Sequence, residues 1–295
     1  MKIGLVTRFG DKSAKDIGYL TAFAQATEEA GFSTLYLPEH VVFFAPEDYD
    51  SKYPYSEDGT PPFDETIGLF DPLIAFAAVG GATTTLRFAT SVMILPERPA
   101  LLTAKQVMTL DHILEGRFDF GIGVGWSKEE YKALGVSFAK RGKRMDEYID
   151  AMRAAWSGET VDFDGEFVSF RKVVMLPRPH TPGGPPLLIG GDSQAAMRRA
   201  ARTGDGWYSW WNKTDLEPHI ETFRSVMTEE GRDLDNGFSF RVGTPHRGEP
   251  PEGLADKVAL CQRLGVHEMP LALPVRPDHF EEDIPFWASA AGLSA

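Results

Sequence analysis

Glu39 and His40, directly after Thr34-Leu-Tyr-Leu-Pro38, are the residues most readily assigned acid–base chemistry. A short run of strand formers stops at Pro38, and a carboxylate and an imidazole follow at once. An imidazole changes charge near neutral pH, so it can give or take a proton under physiological conditions. The same pair could instead cap a turn or face solvent, as charged residues mostly do. A second feature is Gly190-Gly191-Asp192-Ser193, which reads as a strand-to-helix junction. Glycines let the backbone approach an anion, and the unpaired N–H groups and dipole of a helix start hold it. Asp192 or Ser193 is equally an ordinary N-cap, and Gly-Gly an ordinary tight turn. Aromatic residues close two further strands: Trp126 after Gly125, and the cluster Trp207-Tyr-Ser-Trp-Trp211. Each could be core. Together, with Trp126 and Trp210 foremost, they suggest pocket walls for a planar or apolar small molecule.

Other chemistries find less support. The seven histidines are scattered without His-x-His or His-x-x-x-His spacing, so no metal site is expected. The single cysteine, Cys261, falls on the apolar stripe of a helix and reads as a small buried hydrophobe. No Gly-x-Ser-x-Gly elbow, Walker loop or dinucleotide fingerprint occurs. Gly121-Ile-Gly-Val-Gly125 lies inside a strand, where glycine admits the close approach of a ligand or a neighbouring strand. A hydrolase using Glu39 as acid would need a second carboxylate across the site, for which Glu129 and Asp192 are the candidates. One acid–base candidate, an anion loop and no conventional nucleophile describe a protein that borrows its reactive group from a cofactor.

These residues must be held at the ends of regular elements, and the hydrophobic pattern supplies them. Strands are expected at Lys2–Thr7, Thr34–Leu37, Leu86–Ile94, Arg117–Val124, Leu187–Ile189 and about 206–210, 238–243 and 266–273. Helical spacing between them is expected at about 15–30, 71–82, 100–114, 143–157, 193–203, 215–230, 253–264 and 278–290. Eight strand–helix units in one chain predict an α/β fold, a (β/α)8 TIM-like barrel forming a single domain over residues 1–295. Two stretches read as insertions. One, about 41–70, is rich in Phe43, Phe44, Tyr49, Tyr53, Tyr55 and Phe63 and suggests an ordered lid. The other, about 158–186, contains a hairpin around Asp164-Gly165.

Thirty basic against forty-three acidic residues give a net charge of −13, which disfavours nucleic acid or anionic membrane as partner. The N-terminus enters a strand with no secretory pattern, and no apolar run reaches the roughly 18 residues of a membrane span. A cytoplasmic protein with a small-molecule substrate is the expectation.

Taken as a set, several stretches resemble the bacterial-luciferase-like superfamily, specifically its coenzyme F420-dependent oxidoreductases. They are Leu37-Pro-Glu-His40, Thr90-Ser-Val-Met-Ile-Leu-Pro96, Thr109-Leu-Asp with Gly116-Arg117, Gly121-Ile-Gly-Val-Gly-Trp126 and the stretch from Arg141 to Tyr148. Gly165-Glu-Phe, Pro186-Leu-Leu-Ile-Gly-Gly191 and the stretch from Arg199 to Trp207 complete it. The resemblance implies a deazaflavin or flavin at the barrel mouth, with His40 as the active-site histidine and Glu39 in place of the usual Asp. It implies a non-prolyl cis peptide at Ser91-Val92, with Met93 beside it, against the cofactor ring. Gly190, Gly191, Asp192 and Ser193 are implied to hold the phosphate, and Trp126 to face the substrate where some relatives carry a carboxylate. Arg8, Arg98 and Arg178 would suit the polyanionic tail of F420. An FMN-dependent monooxygenase of the same superfamily and a non-catalytic flavin carrier remain alternatives, and a homodimer is the family expectation. The C-terminal quarter matches no motif.

Overall fold

In the computed structural model the described residues are 1–9, 16–56, 58–61, 66, 68–211, 215–234, 237–246, 248 and 250–293. Phe63 and the 10–13 part of the first polar loop therefore lie outside them.

Eleven strands occur among these residues: β1 (Lys2–Val6), β2 (Thr34–Leu37), β3 (Arg87–Thr90), β4 (Met93–Ile94), β5 (Phe118–Gly123), β6 (Val161–Asp164), β7 (Ser169–Val173), β8 (Leu187–Gly190), β9 (Gly206–Trp210), β10 (Ser239–Pro245) and β11 (Glu268–Ala272). β1, β2, β3, β5, β8, β9, β10 and β11 pair in parallel in that order, and β11 returns to β1. This closed ring of eight parallel strands is the expected (β/α)8 barrel. Around it lie α1 (Ile17–Glu29), α2 (Pro72–Val79), α3 (Ala100–Ile113), α4 (Lys128–Ala133), α5 (Arg141–Trp156), α6 (Gln194–Thr203), α7 (Glu217–Glu229), α8 (Pro251–Arg263) and α9 (Phe280–Ala290).

Two layers of side chains explain why the strands read as continuous apolar runs. Outward residues pack under the helices: Phe88, Phe118 and Phe120 are fully buried, and Trp207 stacks on Phe240 at 5.4 Å and on Phe223 of α7 at 3.9 Å. Inward residues form a separate cluster of Tyr36, Ala89, Leu188 and Tyr208, against which Val6, Val92 and Trp210 pack. The barrel interior also holds a charged network. Arg241 donates to Asp119 at 2.7 Å and to the Tyr36 hydroxyl at 2.8 Å, and its guanidinium lies 3.3 Å from Glu268. Burial pushes the Asp119 carboxyl upward, but Arg241 and Arg87 outweigh it and hold it below the usual range. Hydrophobic periodicity does not signal such a network, because each charge sits singly within an apolar strand.

The expected third strand, Leu86–Ile94, is interrupted. Ser91-Val92 is a non-prolyl cis peptide, and the chain resumes as β4 against Ile122 and Gly123 of β5. The glycines of β5 are shaped to this interruption. A Cβ on Gly121 would stand 1.9 Å from the Thr90 carbonyl oxygen, and one on Gly123 would stand 2.8 Å from Val92 Cγ2. One on Gly125, whose φ is +66°, would stand 2.8 Å from Ile94 Cγ2. Of the two sequence readings of this glycine run, close approach of a neighbouring strand is the one observed.

The expected hairpin forms as β6 and β7, antiparallel across Asp164 and Ser169. Glu147 of α5 holds its turn by accepting N–H groups from Glu166, Phe167 and Val168 at 2.7–2.8 Å. α4 has no counterpart among the expected helices. Ser127 caps it, its Oγ accepting the Glu130 N–H at 3.0 Å. Ser127-x-x-Glu130 is the capping-box spacing and was the available signal. Among the described residues no helix is long and apolar enough to cross a membrane, and no cluster of three metal-ligating side chains occurs.

Candidate active site

The candidate residues converge at the C-terminal ends of the strands, the end where barrels of this kind place their chemistry. His40 follows β2, and its Nδ1–H donates to Glu130 Oε2 of α4 at 2.7 Å. Glu130 is fully buried, and its other oxygen accepts the N–H of Val41 at 2.6 Å. Sequence reasoning named the neighbouring Glu129 as a possible second carboxylate, but Glu130 is the one on the histidine. Its spacing from Ser127 suggests a side chain turned back on its own helix cap, whereas the carboxylate reaches out to His40.

Glu129 has a different partner. Its Oε1 accepts the N–H groups of Asp50 and Ser51 at 3.1 and 3.2 Å. The two acids of α4 thus pin the 41–51 stretch of the lid at two points. The lid's rings then gather over the histidine. Trp126 lies 5.8 Å from the His40 ring, edge-on, and 5.3 Å from each of Tyr49 and Tyr53, while Phe43 lies 5.2 Å from His40. Tyr53 and Tyr55 contact one another at 5.5 Å. Burial pushes the Tyr53 phenol up to about 12. The Tyr55 phenol is raised further, by burial first and then by the nearby Asp192 carboxylate. The lid rings thus pack on Trp126, after β5, and come near enough to Asp192, after β8, to feel its charge.

Glu39 does not share the position of His40. It is buried, accepts the Ile94 N–H at 2.7 Å and pairs with Arg98, which also donates to Asp71 at 2.8 Å. Burial raises its carboxyl above the usual range, opposed by Arg98 and the Ile94 N–H. It ties the end of β2 to β4. Glu97, next in sequence to Arg98, is also buried, with neither carboxyl oxygen hydrogen-bonded among the described residues. Burial, then the charges of Glu130 and Glu39, push its pKa up to about 9. No sequence pattern marked it.

Val92 is wedged between the strands, since Cβ atoms on Gly123 and Gly190 would each stand 2.8 Å from its methyl groups. Met93 is fully buried in β4. Gly191 has φ +114°, a conformation open to glycine and strained for other residues, and its carbonyl accepts the Trp207 Nε1–H at 2.9 Å. Ser193 caps α6, its Oγ accepting the Ala196 N–H at 3.2 Å. Asp192 accepts the Ser209 hydroxyl at 2.7 Å and stands 3.3 Å from His219 Nε2. Trp210 packs on the inward cluster beside Tyr208 at 6.4 Å, whereas Trp207 is core. Of the three arginines expected near the mouth, Arg98 is engaged by two carboxylates. Arg178 pairs with Glu159 and gives its carbonyl to His112, at the C-terminal end of α3 and away from the mouth. Arg8 is exposed. Cys261 is buried, and burial pushes its thiol up to about 12.

Known proteins resemble this chain in sequence and in fold. The luciferase-like monooxygenase family pattern matches residues 1–247. An uncharacterised protein of Mycobacterium tuberculosis is 38% identical over 74% of this chain and 74% of its own. The FMNH2-dependent dimethylsulfone monooxygenase of Pseudomonas putida is 26% identical over 86% of this chain and 66% of its own. Among solved structures, monooxygenase RslO1 of Streptomyces bottropensis superposes with a TM-score of 0.75 at 18% identity, covering 98% of each chain. The coenzyme F420-dependent tetrahydromethanopterin reductase of Methanopyrus kandleri superposes with a TM-score of 0.71 at 14% identity, covering 99% of each. With the family pattern spanning most of the chain and the barrel closed as it requires, this protein is an oxidoreductase belonging to the luciferase-like monooxygenase family.

Proposed function

We propose that the protein is an F420-dependent oxidoreductase acting on a small apolar or conjugated substrate. The observation that carries a redox site of this kind is the His40–Glu130 pair beside the Val92 wedge and the Gly190–Ser193 loop. The loop fits a phosphate on its donor chemistry. The first N–H groups of a helix have no partner within it, and Gly191 carries no side chain to keep an anion from the backbone. Gly190, Gly191, Asp192 and Ser193 would hold that phosphate, and Ser91, Val92 and Met93 would back the ring. When bound, the deazaflavin supplies hydride at its C5. Glu130 fixes the His40 tautomer by accepting from Nδ1, so proton exchange with a substrate would run through Nε2. Glu39 would act at one remove, by fixing β2 against β4. Trp126 and Trp210 would line the substrate space, and the lid aromatics would exclude water from it.

An FMN-dependent monooxygenase is the second reading, favoured by the family pattern and by the dimethylsulfone monooxygenase relative. Preference for F420 rests on the sequence resemblance, since neither Arg98 nor Arg178 adds support for its polyanionic tail. Titrating the purified protein with F420 and with FMN, following cofactor fluorescence, tests the choice. Tighter FMN binding by tenfold or more would overturn it. A homodimer belongs to the same proposal; Ile74 of α2 and Leu102 of α3 are exposed apolar side chains that a second copy would cover. A sedimentation mass equal to one chain would refute it.

A further inference from the structure

A phosphate loop carrying an aspartate is electrostatically awkward, because the carboxylate repels the anion that the loop backbone attracts. Asp192 occupies that place, and its surroundings hold an answer. Its Oδ1 accepts from Ser209 Oγ at 2.7 Å, and His219 Nε2 lies 3.0 Å from the same hydroxyl and 3.3 Å from the same carboxylate oxygen. Ser209 is fully buried at the end of β9, and the imidazole and carboxylate are each about four-fifths buried. The His219 ring is fixed from the other side by Trp207, at 5.3 Å, whose own indole N–H holds the Gly191 carbonyl. One set of contacts thus joins two residues of the glycine loop, Gly191 and Asp192, to a single histidine on α7.

The titratable groups around His219 are few among the described residues. Asp192 faces it from the loop, Tyr55 of the lid stands beside Asp192, and Glu217 lies in the first turn of its own helix. Two helix starts, those of α6 and α7, meet at this point. Their dipoles favour an anion there, and Asp192 is the anion that the chain itself provides. A second anion requires a cation beside the first. An imidazole is the side chain that can supply one near neutral pH at the cost of a single proton.

We propose that His219 is the counter-charge of the phosphate site: an anion entering the Gly190–Ser193 loop draws a proton from solvent onto His219, which then neutralises Asp192. The proton adds to the imidazole nitrogen and nothing else is made or broken. By linkage, the loop's affinity for a phosphate group rises as pH falls, and bound phosphate holds the His219 proton more tightly. This rests on the cofactor reading, from which the phosphate site at the Gly190–Ser193 loop is taken.

The test uses the intact protein with four ligands: inorganic phosphate, F420, FMN and riboflavin, which lacks the phosphate. Calorimetry in buffers of different ionisation enthalpy reads proton uptake directly, and ring NMR follows His219 with and without phosphate. Wild type is expected to take up protons on binding phosphate and FMN but not riboflavin, and to bind the two anions roughly tenfold more tightly at about pH 6 than at about pH 8. His219→Gln is expected to lose most of that pH dependence and the uptake beyond the ligand's own, and Asp192→Asn to bind phosphate more tightly with little pH dependence. Equal uptake in wild type and His219→Gln, or a His219 resonance unmoved by phosphate, would overturn the proposal while leaving the cofactor reading intact. Proton-linked binding of phosphate without binding of either F420 or FMN would do the reverse. Failure of all four ligands to bind would overturn both.

Discussion

Glu97→Gln is expected to stabilise the protein, increasingly so as pH rises. Glu97 is 7% exposed and has no hydrogen-bond donor among the described residues, with Glu130 and Glu39 close enough to repel its charge. Its pKa stands at about 9, against an ordinary value of 4.5 for the unfolded chain. A group whose pKa is raised by folding contributes its full stability below the unfolded value and loses it as pH climbs through the folded one. At pH 7 the loss spans about two and a half pH units at about 1.4 kcal/mol each, or about 3 kcal/mol, approaching about 6 kcal/mol above pH 9. Glutamine keeps the shape and the polar burial of the protonated acid but cannot ionise. The variant should therefore match wild type near pH 4.5 and exceed it by about 3 kcal/mol at pH 7. Urea unfolding followed by tryptophan fluorescence across that range measures the difference. Stability curves for the two proteins that run parallel from about pH 5 to about pH 8.5 would refute the reasoning.

Three further outcomes follow from the same geometry. Replacing His40 with Ala should lower turnover on a proven substrate by about 10²–10⁴-fold while leaving the cofactor dissociation constant within a few-fold, and steady-state kinetics beside cofactor titration separates the two. Glu129→Ala frees the Asp50 and Ser51 N–H groups without touching the His40 pair. Limited proteolysis should then cut the 41–56 stretch several-fold faster, and an unchanged rate would show that Glu129 does not hold the lid. Gly121→Ala places a methyl 1.9 Å from a backbone carbonyl, so a loss of about 3 kcal/mol or more, read by thermal unfolding, is expected.

Much of the barrel was legible because buried parallel strands are apolar on both faces and end at punctuating residues such as Pro38 and Gly190. His40, Trp126 and the 190–193 loop stand out in the sequence because each follows such an ending. Glu130 was missed because a capping spacing disguised a side chain with another destination. Glu97 and His219 were missed for a different reason: their roles depend on groups distant in sequence, Glu39 and Asp192 among them. Arg98 and Arg178 were misassigned because counting cations near strand ends does not show which carboxylates already hold them. The interruption at Ser91 shortened a strand that looks continuous in sequence, since its flanking residues are apolar on either side.

Gly121 and Gly123 of β5, Gly125 just after it and Gly190 of β8 behave as a mould of the chain from Thr90 to Ile94. Gly123 and Gly190 record the two methyl groups of Val92, and Gly121 and Gly125 record Thr90 and Ile94. Such a mould ties the glycines at 123, 125 and 190 to the side chains of Val92 and Ile94, and the glycine at 121 to the Thr90 backbone. A side chain can be added at 123 or 190 only if position 92 shrinks in the same step. Remodelling this floor at 123 or 190 therefore requires paired substitutions, and at 121, which faces backbone, no partner substitution makes room.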